Sequence, residues 1–311
     1  MLFVVLAGLS GLVWGVGDFS GGKATQRAGA LPVVWLSKLV SLPLLALYLV
    51  LLPTRADLGG LAWGALAGVF GAVGVVVFYR ALSAGAMTVV APVASVTSAA
   101  IPVVVGLASG ERPSAVALVG VTCALVAIAL VSLAPPRPGV VSVVTGRLVG
   151  QAVVAGVGFA LFFVLLARAD DAAGGDAGLW PVASAQVSAL VLTGVLVVLT
   201  RRPAVRNRAL RNAAATRQAG QDSPGPTDPA RWPRGRALAW TAVAGPFDMT
   251  ANALFLVAAR FGDLSLVAPL AALYPVTTVL LAVGVDRERL RPLQVVGLAL
   301  ALVALLLVSR P

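Results

Sequence analysis

Four ionisable side chains stand inside long apolar runs of the chain: Asp18, Lys38, Arg80 and Asp248. A charge at the centre of a bilayer costs at least about 2.5 to 3.5 kcal/mol on insertion scales, so such a group normally faces a cavity or a partner and marks an ion or substrate path. Asp18 and Lys38 fall on consecutive runs that form an antiparallel hairpin. With a helical rise of about 1.5 Å per residue they reach similar depth and can pair. Two roles are open to them: a place in a cavity, or a folding role in which Lys38 snorkels to the interface and Asp18 neutralises it. Asp248 lies near the centre of its run, where snorkelling does not reach water. Gly245 and Pro246 precede it, and the proline removes one helical hydrogen bond and kinks the helix, freeing carbonyls for an ammonium or a cation. Asn252, four residues on, shares its face. An acid, an amide and a kink on one face suit recognition of a zwitterion or coupling to a proton. The competing reading is a packing acid bonded to the first or third helix.

Other polar groups are weaker candidates. Pro92, Pro102, Pro269 and Pro275 predict bent helices around a path, because irregular backbone is tolerated at membrane depth only where it lines a cavity or is buried in protein. Tyr274, Thr277, Thr278, Ser95, Thr97 and Ser98 supply hydroxyls there, although each can instead bond its own helix. Gln186 is intramembrane and uncharged. Glu111 and Glu288 sit at helix ends beside Arg112 and Arg289 and read as caps and loop braces. Asp170, Asp171 and Asp176 read as a solvated acidic loop rather than a metal site. Gly60, Gly64 and Gly68 space small residues by four, a signature of close helix packing.

The elements that must hold these residues follow from composition. Of 311 residues, 59% are hydrophobic and 11% charged, where a soluble domain carries about 25% charged, and the mean hydropathy is +0.98. Apolar runs of about 20 residues without strand-period alternation predict membrane-spanning helices, not a barrel. They fall at 2–22, 31–52, 60–82, 87–109 and 114–133, then at 147–168, 178–200, 237–259, 264–285 and 291–309. The expected fold is an all-α integral membrane protein of ten transmembrane helices. An apolar start at Leu2, without a charged leader region or a cleavage site before Lys23, reads as an uncleaved first helix.

Residues 63–132 recur as 240–309 without a gap, at a constant offset of 177 positions. Trp63 falls on Trp240, Gly68 on Gly245, Phe78 on Phe255, Val90-Ala91-Pro92 on Val267-Ala268-Pro269, Glu111-Arg112 on Glu288-Arg289 and Gly120 on Gly297. The organisation is therefore a five-helix repeat over 1–134, a proline-containing linker over 135–146 and a second five-helix repeat over 147–311, which carries a basic loop at 201–236. Because five crossings are odd, the second copy enters from the opposite side and the repeats are inverted, a construction that lets two halves rock about a site at mid-depth. The symmetry breaks where Gly71 becomes Asp248, Val75 becomes Asn252 and Thr97 becomes Tyr274. Those positions are where substrate chemistry is expected.

The net charge of +11 is topological: nine arginines lie in the loop at 201–236 and most other basic residues sit at helix ends. That loop reads as disordered, serving as a topology determinant or hugging anionic lipid. One face carries Arg55, Arg112, Arg168, Arg260 and Arg310; the other carries the loop together with Lys23, Arg27, Arg80, Arg137, Arg147, Arg287, Arg289 and Arg291. The positive-inside rule puts the second face in the cytoplasm and both termini outside.

Leu12-Val13-Trp14-Gly15, Phe78-Tyr79-Arg80-Ala81-Leu82, Gly110-Glu111-Arg112-Pro113 and Asp286-Arg287-Glu288-Arg289-Leu290, in this order within two five-helix copies, resemble the drug/metabolite transporter superfamily, in particular its EamA-type permeases. The likeness covers nearly the whole chain. It implies a transporter, often an exporter, of small metabolites such as amino acids, with a central cavity between the halves. Val257 replaces Arg80 in the second copy, so a symmetric role for Arg80 does not follow.

The sequence thus points to a secondary-active transporter, an exporter of small polar or amphipathic metabolites that alternates access between two inverted repeats, with a proton as the expected coupling ion. Its candidate residues are Asp248, Asn252, Asp18, Lys38, Tyr274, Arg80 and Gln186. Without histidine and with Cys123 as the one cysteine, zinc sites and Cys/His nucleophile pairs are excluded, and no P-loop is present. No enzyme activity, cofactor, metal or nucleic-acid partner is expected. The partners are a small-molecule substrate and the lipid bilayer, the chain a monomer or homodimer, and the location the cell (plasma) membrane with multiple passes. Two alternatives are a polytopic lipid-head-group transferase, which would need clustered acids at a membrane face, and a non-transporting membrane scaffold, which would be indifferent to substitution at Asp248.

Overall fold

In a bilayer every backbone polar group must be satisfied within the protein, so apolar runs of this length fold as helices. A computed structural model describes residues 1–83, 87–133, 146–174, 177–200, 231–287 and 289–310, without the side chains of 79, 80, 82, 83, 87 and 88. The described residues form helices and no strand: α1 (Leu2–Thr25), α2 (Ala30–Val40), α3 (Leu42–Leu51), α4 (Leu58–Ser83), α5 (Met87–Ala108), α6 (Ala115–Ser132), α7 (Gly146–Ala172), α8 (Trp180–Thr200), α9 (Arg236–Phe261), α10 (Leu264–Ala271), α11 (Tyr274–Asp286) and α12 (Pro292–Val308). Among the described residues nine spans are long and apolar enough to cross a membrane, with α2 and α3 forming one and α10 and α11 another. The 17 residues of α12 reach about 26 Å, close to the thickness of a bilayer core, and make the tenth.

Two expected helices are each broken in two. The second span breaks at Ser41, just before Pro43, which enters α3 in its first turn. The ninth breaks at Ala272 and Leu273, just before Pro275. In both, a proline that lacks an N–H starts a new helix more readily than it continues an old one. By contrast, α5 continues through Pro92 and Pro102.

Alternate spans run in opposite directions. One face holds residue 1, the loops near 52–57, 109–114, 173–179 and 262–263, and residue 310; it is called the terminal face. The other, the basic face, holds residues 26–29, the helix ends at 83, 87, 133, 146 and 200, and residues 231–235, 287 and 289–291.

The contacts repeat with the sequence. Gly120 on α6 lies against Leu307 and Val308 of α12, and Gly297 on α12 lies against Leu130 and Val131 of α6. Each contact is the image of the other at the offset of 177. Gly68 on α4 faces the backbone of Ala185 on α8, while its counterpart Gly245 on α9 faces the backbone of Ser37 on α2. Gly64 likewise faces Pro181, so the stripe of small residues seats α4 on α8.

The copies do not pack as separate halves. Helix α1 lies along α9 and against α10 and α11, whereas α7 lies along α4 and α5. Each copy thus lends its first helix to the other. Between these groups, toward the terminal face, Trp14, Phe163 and Phe255 form an aromatic cluster with ring centroids 4.8 to 5.9 Å apart.

Candidate functional site

The site begins with a close approach of backbones. A side chain at Gly245 would collide with the carbonyl of Ser37, so glycine there lets α2 lie directly on α9. Lys38, the next residue, then reaches across: its Nζ donates to Asp248 Oδ2 at 2.5 Å. Asn252 Nδ2 donates to the same oxygen at 3.2 Å. Between Asp248 and Asn252, Thr250 gives its hydroxyl to the carbonyl of Pro246 at 2.8 Å and contacts Tyr48 Oη at 3.0 Å, so backbone packing at Gly245, the ion pair and this contact hold the α2–α3 span to α9.

Lys38 pairs with Asp248, not with Asp18 as the hairpin argument predicts. The hairpin places Asp18 and Lys38 at similar depth, but the Gly245 contact draws Lys38 toward α9. Asp18 remains in electrostatic reach of both Asp248 and Lys38 and is itself exposed. It follows Gly17, whose Cα faces the backbone of Ala244 and Asp248. The partner of Asp248 thus lies on the second span, not on the first or third. Side-chain exposures of 17% for Lys38 and 33% for Asp248 show that the pair is not sealed in a dry core.

Tyr274 opens α11 directly after the break and is in electrostatic reach of Asp18. Its hydroxyl lies 3.5 Å from Ser95 Oγ on α5. Of the other hydroxyls of these helices, Thr97 bonds to Val93, Ser98 to Ser95 and Thr278 to Pro275, at 2.7 to 2.8 Å, whereas the Thr277 hydroxyl is buried with no described partner. An open hollow of about 310 Å³ beside α5 is lined by Pro92, Val93, Val96 and Thr97. At 100° per residue those positions lie on the face of α5 opposite Ser95 and Ser98. The hollow is therefore apart from the polar site.

Gln186 is buried and does not reach the carboxylates. Its Nε2 donates to the carbonyl of Lys38 at 3.0 Å and to Ser41 Oγ, while Ser41 Oγ donates to the same carbonyl at 2.8 Å. The amide closes the polar gap left by the break at Ser41. Because Ala185 meets Gly68 as Ser37 meets Gly245, Gln186 is the positional counterpart of Lys38. Its copy faces Gly71, over which Phe162 lies, instead of Asp248. The charged arrangement exists once. Sequence comparison finds the acid's half of this asymmetry but misses the base's half, because the second helices of the two copies have diverged.

Three further placements complete the polar census. The Arg80 side chain lies outside the described residues. Glu111 accepts from the backbone N–H groups of Leu264 and Ser265 at 2.9 Å each, capping α10 of the other copy, in line with its reading as a cap; Glu288 lies outside the described residues. Asp170 corrects its reading as part of a solvated loop: it is 6% exposed, belongs to α7 and is bound by Arg260, which donates from Nε at 2.8 Å. Arg260 also donates to the carbonyl of Gly178 at 2.5 Å. Loop composition alone hides this, since the partner is 90 positions away. Among the described residues, no cluster of three or more His, Cys, Asp or Glu side chains forms a metal-binding set.

The chain is similar to known proteins in sequence and in fold. Residues 219–310 match the model of the EamA-like transporter family. A solved crystal structure superposes over 99% of this chain and 98% of its own, with a TM-score of 0.72 at 15% sequence identity. At that identity the likeness shows the fold alone. No curated protein matches.

Proposed function

We propose that this chain, whose residues 219–310 match the EamA-like transporter family, is a multi-pass membrane transporter that exports small zwitterionic or amphipathic metabolites such as amino acids across the plasma membrane by secondary-active alternating access. The observation that carries this reading is the Lys38–Asp248 pair near the middle of α9, partly exposed, with Asn252 on the same oxygen and Asp18 beside it. A charge pair at this depth supports a role in binding, because a purely apolar contact would cost less.

The chemistry of the step follows from the count of charges. Asp18 and Asp248 offer two carboxylates against one ammonium, so the site has room for one more positive group. A substrate ammonium takes the place of Lys38 at Asp248 or sits at Asp18, while the freed Lys38 holds the substrate carboxylate. Tyr274 orients the backbone-like part of the ligand from α11, and Asn252 keeps Asp248 in place. A zwitterion adds one ammonium and one carboxylate and leaves the net charge unchanged, so coupling comes from competition: a proton and the substrate ammonium take turns on the carboxylate that Lys38 does not hold. Arg80 is a further candidate at the basic end of α4. The pseudo-two-fold contacts of α6 with α12 and of α4 and α9 with their partners support two copies, 1–134 and 147–311, as the repeated units.

Flux of radiolabelled amino acids and of cationic drugs into proteoliposomes containing the purified protein, with an imposed pH gradient, tests this. Gradient-dependent flux of at least one zwitterion is expected. Flux of every compound at the level of empty vesicles would contradict it.

A further inference from the structure

Reading from the basic face to the terminal face along α9, the order is Asp248, Asn252, Phe255, Arg260. Reading the opposite way along α1, the order is Trp14, then Asp18. The polar site therefore lies on the basic-face side of the aromatic cluster, and the Arg260 ion pair lies beyond that cluster, at the terminal face. We propose that Arg260, Asp170 and Glu111 form the closure of the terminal face, and that opening it means separating α1, α9, α10 and α11 from α4, α5 and α7.

Three observations converge on that surface. Arg260 of the first group holds Asp170 of α7 with contacts of 2.8 Å from Nε and 2.6 Å from Nη2, and reaches the carbonyl of Gly178 just before α8. Glu111, following α5, caps the first turn of α10 through two backbone N–H groups. Behind both, Phe255 and Ser265 are completely buried and Phe163 is 4% exposed. The ninth span shows the same polarity. Helix α5 packs closely on α10, its terminal-face half, and meets α11, its basic-face half, at Ser95 and Tyr274.

These bonds join groups that interleave the two sequence copies: Arg260 and Asp170 both belong to the second copy, whereas Glu111 of the first caps α10 of the second. Each bond is charge-assisted and bridges helices that a rocking motion must part; a bond within one group would resist nothing. Lys23 and Asp286, paired at 2.5 Å at the basic face, are such a within-group contact, since α1 and α11 pack together. The conformer seen is thus shut toward the terminal face.

The proposal rests on the transporter reading, but its test reads conformation instead of flux. Ser265→Cys in a Cys123→Ala background places a thiol directly behind the Glu111 cap, where the native hydroxyl has no described partner. In intact proteoliposomes a membrane-impermeant maleimide, supplied at the terminal face, should label this thiol slowly. Asp170→Asn and, separately, Glu111→Gln should each raise the labelling rate at least about tenfold, the effect of weakening a bond by about 1.4 kcal/mol. Equal labelling rates in parent and variants that elute as monodisperse protein would overturn the closure. Should Asp170→Asn fail to accumulate, Arg260→Lys keeps the charge while removing the second contact to Gly178, and faster labelling is again expected; an unchanged rate overturns the proposal. Accelerated labelling in a protein that moves no solute would uphold the closure and count against the substrate reading instead.

Discussion

Asp248 is set apart by what it holds. A buried carboxylate that binds an ammonium and an amide through one oxygen cannot be neutralised without leaving Lys38 unpaired, and breaking a buried pair by removing one partner typically costs about 3 to 5 kcal/mol. With both side chains partly exposed the cost here falls below that range. Enough fold stability remains for expression while the recognition chemistry is lost. Lys38→Met should leave the two acids facing each other without a base and shift the site's preference to cations: transport of a zwitterion falls, and binding of an organic cation to the purified variant, measured by tryptophan fluorescence, tightens. Loss of both would mean that Lys38 serves folding alone. Much of this site was legible in sequence. Asp248 and Asn252 share a face by helical period, and their partners Gly71 and Val75 in the other copy mark them as acquired. The partner of Asp248 was not legible, because Lys38 lies 210 positions away and its choice between two acids depends on how closely two backbones approach.

At the scale of elements, that approach is set by Gly245. A methyl group there would meet the carbonyl carbon of Ser37 at 2.9 Å and its oxygen closer still, so Gly245→Ala must push α2 off α9. Overpacking of this kind costs about 1 to 3 kcal/mol. Gly150 on α7 has open space where a Cβ would stand, so Gly150→Ala is the matched control and should be neutral or slightly stabilising through helix propensity. Thermal unfolding in detergent distinguishes them: a lower midpoint for Gly245→Ala alone is expected, and equal midpoints would remove the close contact from the account. The breaks at Ser41 and at Ala272 were only half legible. Pro275 announces one as a bend, but whether a proline kinks a helix or restarts it depends on what satisfies the freed groups. At Ser41 the satisfying group is Gln186, from a helix six spans further along the chain than α1.

For the molecule as a whole, the repeat and its inversion could be read before any coordinates. Ten spans follow from hydropathy and the offset of 177 from identity alone. What could not be read is the exchange of first helices between copies, since apolar faces of this kind do not encode which neighbour they meet; lipid and protein are equally apolar. By the positive-inside rule the arginine-rich loop is expected in the cytoplasm. With the basic face in the cytoplasm, a reporter that works only in the cytoplasm, fused after residue 311, should be silent, and the closed terminal face should lie outside the cell. An active reporter would reverse both statements. The account's central claim is that the Lys38–Asp248 site carries the substrate. Side-by-side flux of wild-type protein and Asp248→Asn in proteoliposomes, at matched protein content and with a pH gradient, tests it most directly. Wild-type flux with the variant reduced at least about tenfold, equivalent to about 1.4 kcal/mol or more of lost interaction, is the predicted result. Equal flux through both would contradict it.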